Sequence, residues 1–455
     1  MTIFNDPAFR QIGASLALLA TGWLLCARPA SSQQPVMVKQ AAATRQPLVP
    51  LPPPELIAPP PPRPGLALAD LEHIALSSNP SIARAGALVG AAQGNLVQVG
   101  LLPNPTAGYS GQQLGSGGLA EQHGIQFSQE VVRGGKLRLN RAVAEQELSR
   151  AQQELAMQQQ RVLTDVRIAY SKSLLAQRQI DLTANLLRTS TQGASIVDAL
   201  IRAKEASRLD VLQSQIEVEN SQILAKNARN GHDAAWRELS SVVGDPNLRP
   251  QPLAGDAFAP PCEIDFEQAL QRLQNTSPEV AVAMSEISRA RMVLERARVE
   301  AVPNVSLQGL VNVIDNGIGG RTDAGIGVSV PIPLFNRNQG GIVKAQNEIV
   351  AAEQALAQLE LSLKNRLSPT FERYANARNQ VDRYRTAIIP AATESLELSR
   401  KMYEAGETGY LNLLTAQRTF AQTNLQYLDS LLQLRVAEAE IEGLLLMGSL
   451  DAARR

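Results

Sequence analysis

Few residues of this 455-residue chain have the types and spacing that chemistry needs. Arg133-Gly134-Gly135-Lys136 joins glycines to cations, the makings of a phosphate-cradling loop. It lacks the G-x-x-x-x-G-K-[ST] spacing that wraps backbone N–H groups around an anion, so it reads instead as a tight strand-to-helix turn. His73, His123 and His232 each stand far from a second His or Cys at metal-ligand spacing, and read as structural or surface residues. No Ser, His and Asp set sits in a nucleophile context. The reading is therefore of no catalytic residues, no resident metal and no cofactor.

The two cysteines, Cys26 and Cys262, point to cell addressing rather than reactivity. Arg10 precedes an apolar run from Ile12 to Cys26, and Ala30-Ser31-Ser32 offers small residues for cleavage, so residues 1–32 read as a secretory signal. A retained signal anchor is the alternative, although the run is short for a spanning helix. Cys26 is the candidate lipid anchor, with Leu25 before it where a lipoprotein signal places a small residue. With the signal removed, Cys262 stands alone and no intrachain disulfide can form. After the signal, no apolar run approaches the ~20 residues of a transmembrane helix, so any further membrane contact must use strands. The 43 basic and 43 acidic residues cancel, which argues against a nucleic-acid partner.

The elements that must position everything else are strands running straight into long helices. In Gly325 to Gly341, Ile326, Val328, Val330 and Ile332 alternate with Gly325, Gly327, Ser329 and Pro331, the period of a strand with one apolar face. From about Gln339 the period becomes helical. Gly124 to Lys136 makes the same switch. The alternation predicts strands over about Thr106–Leu114, His123–Glu130, Val305–Val313 and Ala324–Ile332, joined as two hairpins, with the alternating apolar residues facing lipid.

The plan occurs twice. Asn79-Pro80 matches Ser277-Pro278, Pro103-Asn104 matches Pro303-Asn304, and Leu209-Asp210-Val211-Leu212 matches Leu411-Asn412-Leu413-Leu414, at offsets of 198, 200 and 202. The chain divides into a signal (1–32), a Pro-rich tether (33–65), a first repeat (66–250), a linker (251–262), a second repeat (263–448) and a tail (449–455). Within each repeat the order is helix, strand, strand, very long helix, turn, helix. Heptads run through both long helices: Leu148, Ala151, Leu155, Val162, Val166, Ala169, Ser173, Ala176, Ile180 and Leu187 in the first, and Leu356, Leu359, Leu363, Leu367, Thr370, Tyr374, Ala377, Val381, Tyr384, Ile388, Ala391, Ser395, Leu398 and Met402 in the second. Kinks are expected at Pro369 and Pro390. Two shorter helices stacked end to end match one long helix in length, giving paired antiparallel columns beneath each hairpin. Four strands cannot close a barrel, and lipid does not tolerate an open sheet edge, so copies must pool strands; three chains would supply twelve. The fold class is mainly α with membrane β.

This order of elements resembles the outer-membrane factor family, the TolC-type outer-membrane efflux proteins, over about Leu66 to Gly448. Pro331-Ile332-Pro333-Leu334-Phe335-Asn336-Arg337-Asn338-Gln339-Gly340 looks like the strand-to-helix signature of its heavy-metal (cobalt–zinc–cadmium type) branch, and Tyr403 to Arg418 is similar to its periplasmic turn motif. The first repeat departs from the second, with Ala206-Ser207 where Thr408-Gly409 stands. The resemblance implies a homotrimer, a twelve-stranded barrel in the outer membrane, a helical tunnel across the periplasm, a periplasmic adaptor and an inner-membrane pump that supplies the energy. It implies that the turns carrying Ala203, Lys204, Ser207 and Leu209, and Gly406, Gly409 and Leu411, meet the adaptor. Leu209, Val211, Leu411 and Leu413 are expected to pack the last coil layer there, with Gly406 and Gly409 supplying conformational freedom. The alternatives are a periplasmic coiled-coil scaffold that never enters a membrane and an outer-membrane exit for protein secretion.

Overall fold

In the computed structural model the described residues are 65–114, 120–315 and 322–451. The signal, Cys26, nearly all of the tether, the hairpin tips and the last four residues lie outside them. The first repeat runs α1 (Leu68–Ser78), α2 (Pro80–Gln98), β1 (Thr106–Leu114), β2 (Ala120–Val131), α3 (Lys136–Arg202) and α4 (Arg208–Val243). The second runs α5 (Phe266–Thr276), α6 (Pro278–Arg298), β3 (Val305–Asp315), β4 (Asp323–Ser329), α7 (Gln339–Arg383), α8 (Ile389–Glu404) and α9 (Tyr410–Glu442).

The 67 residues of α3 make a column of about 100 Å. Both α2 and α4 lie along it, α2 through Asn95–Glu147 (3.1 Å) and α4 through Lys172–Glu238 (2.6 Å). They meet end to end: Asn79, the N-cap of α2, donates from Nδ2 to the Val242 carbonyl (2.7 Å) as α4 closes on Gly244 in a left-handed conformation (φ 84°). In the second repeat α6 and α9 flank the column of α7 and α8, bonded through Arg366–Glu279 and Arg373–Glu440. The repeats join through α3, which α6 reaches with Arg150–Glu286 (3.4 Å) and Arg296–Asn140 (2.6 Å).

The core sits at mid-height, where the short helices wrap the columns. Leu71, Leu239, Leu253, Leu273, Leu363, Leu367, Tyr374, Leu431 and Leu434 are wholly buried there. The connection between repeats is stitched in by backbone: Leu66 donates to the Pro252 carbonyl and Ala254 to Leu66, each at 3.0 Å.

Two expectations need correction. Helix α7 continues through Pro369, and near Pro390 the helix does not simply bend; it widens into a π turn over Tyr384–Ile388, with Ile389 N–H bonded to the Tyr384 carbonyl. That turn carries one extra residue, so the buried apolar positions beyond it come one residue later than the heptad predicts. Ala392 and Leu396 are buried, while Ile388, Ala391, Ser395, Leu398 and Met402 face outward. Second, β4 ends at Ser329, so Val330 and Ile332 lie outside the strand. Pro331 and Pro333 lack the N–H donors that would extend the ladder.

Replacing Leu434, which is fully enclosed, with Ala should cost about 2–5 kcal/mol, while Leu434→Met should cost under about 1.5 kcal/mol. Thermal unfolding of the detergent-extracted protein measures the difference.

Candidate functional site

Two regions at opposite ends of the columns are built for contact with something outside the chain. The first is the sheet, antiparallel in the order β1-β2-β3-β4. Residues directly opposite in such a ladder share a face. Tyr109↔Ile125↔Val311 and Phe127↔Gly309↔Ile326 lie on one face with Leu307↔Val328. Ser110↔Gly124↔Asn312, Gln126↔Leu310↔Gly325 and Ser128↔Gln308↔Gly327 lie on the other. One face is thus apolar and the other is mostly Gly, Ser, Asn and Gln. Gln129 and His123 are polar exceptions on the apolar face; Gln129 bonds the Pro103 carbonyl (2.9 Å) at the strand end, and His123 Nδ1 bonds the Tyr109 hydroxyl (2.7 Å). The apolar face is bare: Tyr109 is 68% exposed, Val328 65% and Ile326 92%. In water that exposure is unfavourable, and a hydrocarbon solvent removes the cost. Residues β1 and β4 present at the sheet edges find no partner strand within the described chain.

Each hairpin is handed to its long helix by a left-handed turn. Gly134 (φ 72°) and Gly135 (φ 67°) make the first, and Asn338 (φ 59°) the second. Asn338 donates to Asn336 Oδ1 (3.0 Å) through its backbone and to the Ala297 carbonyl (2.9 Å) through its side chain, while Arg337 N–H is accepted by Gln339 Oε1 (2.9 Å). The polar residues of the PLFNRNQG stretch therefore do turn geometry. Its apolar ones, Leu334 (65% exposed) and Phe335 (90%), project outward.

The second region is the pair of distal turns. Both close by the same hydrogen bonds: Glu205 N–H to Leu200 O and Lys204 N–H to Ile201 O, then Glu407 N–H to Met402 O and Gly406 N–H to Tyr403 O. Lys204 (φ 60°) and Gly406 (φ 69°) hold the same left-handed position. Gly409 does not need conformational freedom, which corrects the sequence reading; it caps α9 in ordinary extended backbone (φ −78°, ψ 161°) with open space where a Cβ would sit. Its counterpart Ser207 caps α4 reciprocally with Asp210. Val211 and Leu413 are buried, but Leu209 (61% exposed) and Leu411 (56%) are not. Positions two apart on a helix point to different sides, so the four could not share one layer. Ala203, Lys204, Ser207 and Gly406 are exposed.

Behind the turns, Arg418 Nε meets Glu217 Oε2 (2.8 Å), tying α9 to α4. Tyr403 and Tyr410 pack edge to face at 6.0 Å between ring centroids. Burial, with Glu217 adding to it, pushes the Tyr410 hydroxyl up to about 12, so this contact stays uncharged throughout the ordinary pH range. No group of three or more His, Cys, Asp or Glu that could hold a metal occurs among the described residues. Sequence reasoning did not foresee the outward apolar stripes: Leu209, Leu212, Ile216 and Ile223 on α4, and Ile388 at the end of the π turn with Leu398 and Met402 beyond it. The α4 stripe was legible as steps of three, four and seven; the other was hidden by the phase shift.

Residues 71–245 and 269–445 match the family described as outer membrane efflux protein. Among curated proteins, the chain is 24% identical over 382 residues to the cobalt-zinc-cadmium resistance protein CzcC of Cupriavidus metallidurans, covering 84% of this chain and 90% of that one. It is 27% identical over 282 residues to the alkaline protease secretion protein AprF of Pseudomonas aeruginosa, covering 57% and 56%. Among solved structures, it superposes on the outer-membrane channel OprN with a TM-score of 0.69 at 18% identity, covering 84% of this chain and 91% of that one.

Ile326→Arg on the apolar face should cost about 2–4 kcal/mol of barrel stability near the bilayer midplane, and Gln308→Arg on the opposite face much less. The fraction of heat-resistant assembled barrel on a gel reads this, and equal losses would overturn the facing. At the distal end, Gly406→Ala should cost about 1–2 kcal/mol for its left-handed backbone. Gly409→Ala should stay within about 0.5 kcal/mol, as at an open surface site.

Proposed function

The chain belongs to the outer membrane efflux protein family, and on that premise we propose that three copies form a passive conduit carrying heavy-metal cations out through the outer membrane. The observation that carries the trimer is the open sheet. Strands β1 and β4 are unpaired edges, lipid excludes unpaired backbone groups, and spanning barrels need about eight strands or more. Three four-stranded sheets close a ring of twelve. Tyr109, Ile125, Phe127, Ile326 and Val328 then face lipid, while Val330 and Ile332 follow the strand toward its periplasmic end.

The columns below the sheet extend as a tunnel through the periplasm, and the turns at their far end are the docking surface for an adaptor that connects to an inner-membrane pump. Support for this comes from Leu209 and Leu411, which occupy matching positions in the two repeats and are bare beside the turns in both. The likeness to CzcC, spanning 84% of this chain, supports cobalt, zinc or cadmium as the cargo class. Export of a protein is the second reading. It draws on the likeness to AprF, which spans 57% of the chain and so carries less of the argument. Residues 1–32 would direct the chain across the inner membrane, with Cys26 as a candidate lipid anchor.

Cross-linking of detergent-extracted protein should stop at three chains; a stable monomer with an intact barrel would contradict the closure argument. Cells lacking the gene should lose tolerance to cobalt, zinc and cadmium salts, and the wild-type chain should restore it. Gly406→Pro should fail to restore it while trimers still form, because φ near +69° is closed to proline and the strands are remote. Leu411→Glu should weaken cross-linking to the adaptor. Normal tolerance and normal capture in both variants would move the docking surface elsewhere.

A further inference from the structure

We infer that one copy meets the next through the unpartnered flanks of α2 and α7, with Val343 and Val350 of one copy seated on Gly94 and Ala87 of its neighbour. The inference rests on the trimeric reading and adds to it the helical surfaces that join the copies.

The joint between the two repeats of one chain is the template. Helix α6 is bonded on both flanks, to α3 by Arg150–Glu286 (3.4 Å) and to α7 by Arg291–Glu353 (3.2 Å), and it buries Ile287, Ala290 and Leu294. Its counterpart α2 is bonded to α3 through Asn95–Glu147 and Ser81–Gln158, and none of its 19 residues is buried. The far flank of α2 exposes Ala83, Ala87, Gly90, Ala91 and Gly94, at the steps of three and four that make one helix face. Open space lies where a Cβ would sit on either glycine. On α7, Val343 (56% exposed), Val350 (55%) and Leu361 (72%) form a bare stripe turned away from buried Ala345 and Leu363.

Two features name a second copy as the occupant. The chain enters β1 from α2 and leaves β4 into α7, so the bare flanks hang from the two unpaired edges of the sheet. Pairing those edges between copies brings the flanks together. The repeat then sets which residues meet. Val162, Val166, Ala169 and Ser173 of α3 and Leu363, Leu367, Thr370 and Tyr374 of α7 are buried at one constant offset, and the N-caps Asn79 and Ser277 align α2 with α6. With those alignments the inner contact of the Ser149 and Ser285 hydroxyls (3.5 Å) becomes Val350 against Ala87, and Arg150–Glu286 becomes Ala351 against Leu88. One heptad nearer the barrel, the antiparallel pair brings Val343 to Gly94. The strands supply an independent check. Carried over in the same way, with Pro103-Asn104 on Pro303-Asn304, Phe127↔Gly309 becomes Val328 beside Tyr109 of the neighbour, both on the apolar face. A slip of one residue would set apolar against polar.

The two joints differ in chemistry. Hydroxyls and an ion pair hold the repeats together, whereas Val, Leu, Ala and Gly hold the copies together. Helix axes approach to about 8–10 Å as the side chains between them allow, and Ala and Gly set the near limit. Burial of the valines is a hydrophobic gain, which salt does not screen, while exposed ion pairs are screened beyond about 8 Å at 0.15 M salt. The contact between copies should therefore withstand salt.

The test is disulfide trapping of the detergent-extracted full-length protein in a Cys262→Ser background. Ala87→Cys with Val350→Cys, and Gly94→Cys with Val343→Cys, should give covalent species of up to three chains on oxidation, against almost none for each single variant. The crossed pair, Ala87→Cys with Val343→Cys, is about 10 Å out of register by helix rise and should stay unlinked. Ala87→Trp should lower the trimer fraction several-fold with helix content kept, because Ala87 is exposed within the chain. The wild-type trimer fraction should not fall as salt is raised. Trimers, established by light scattering, whose matched pairs stay unlinked, whose crossed pair links equally well, or which come apart in salt overturn the α2–α7 joint and leave the trimer standing. Single chains at every protein concentration remove the trimer and this inference with it.

Discussion

The whole structure depends on one constraint: backbone N–H and C=O groups inside hydrocarbon must find partners in protein. A four-stranded sheet with bare edges at β1 and β4 cannot satisfy it alone. Closure by further copies follows, and with it the arrangement of everything beneath. Where three sheets form a ring, the columns hanging from them must form one too. The helices at the two sides of each chain then need apolar faces for their neighbours. Leu212, Ile216 and Ile223 on α4, and Leu398 and Met402 beyond the π turn, are apolar and bare in one chain, as such faces would be. The same shortage of partners, of hydrogen bonds above and of apolar contact below, is met by the same assembly.

Between those ends the mid-height core keeps the two repeats in step. Some of its polar groups cap helices or bond the connection between the repeats. Asn79 caps α2 and bonds the end of α4, Ser277 caps α6, and Tyr374 donates to the Cys262 carbonyl (2.5 Å). Glu438 and Glu440, nearly buried on α9, are held by Arg435 and Arg373, so their charges are compensated rather than stranded. Cys262 is exposed, and partial desolvation with Glu438 nearby raises its thiol above the usual range.

Much of this was legible from residue types and spacing. Period-two alternation located all four strands, since lipid on one side and water on the other leave no alternative pattern for Ile326 and Val328. Heptads located the long helices, and the matching dipeptides Asn79-Pro80 and Ser277-Pro278 marked equivalent points of the two repeats, which prove to be N-caps in both. The failures have physical causes. The strand end at Ser329 was overrun because Val330 and Ile332 keep the apolar rhythm after proline has stopped the ladder. The seam beyond Tyr384 was misplaced because periodicity assumes a constant number of residues per turn, and a π turn breaks that assumption without altering composition. Gly409 was given a conformational role on identity alone, whereas its backbone is one that any residue adopts. Leu209 and Leu411 were assigned to the interior from hydrophobicity, which does not say on which side of a helix a residue lies.

The two distal turns look alike in hydrogen bonding, yet one places Lys204 in the left-handed position and the other Gly406. A lysine there is held against a steric penalty of roughly 1–2 kcal/mol that glycine escapes. A ring assembled from three chains would thus present six turns of two alternating kinds, one charged and strained, the other small and relaxed. Such a mouth would have threefold and not sixfold symmetry at its turns. Six identical partner chains seated around it would experience two unequal environments, so each neighbouring pair of them, rather than each single chain, becomes the repeating unit of the assembly.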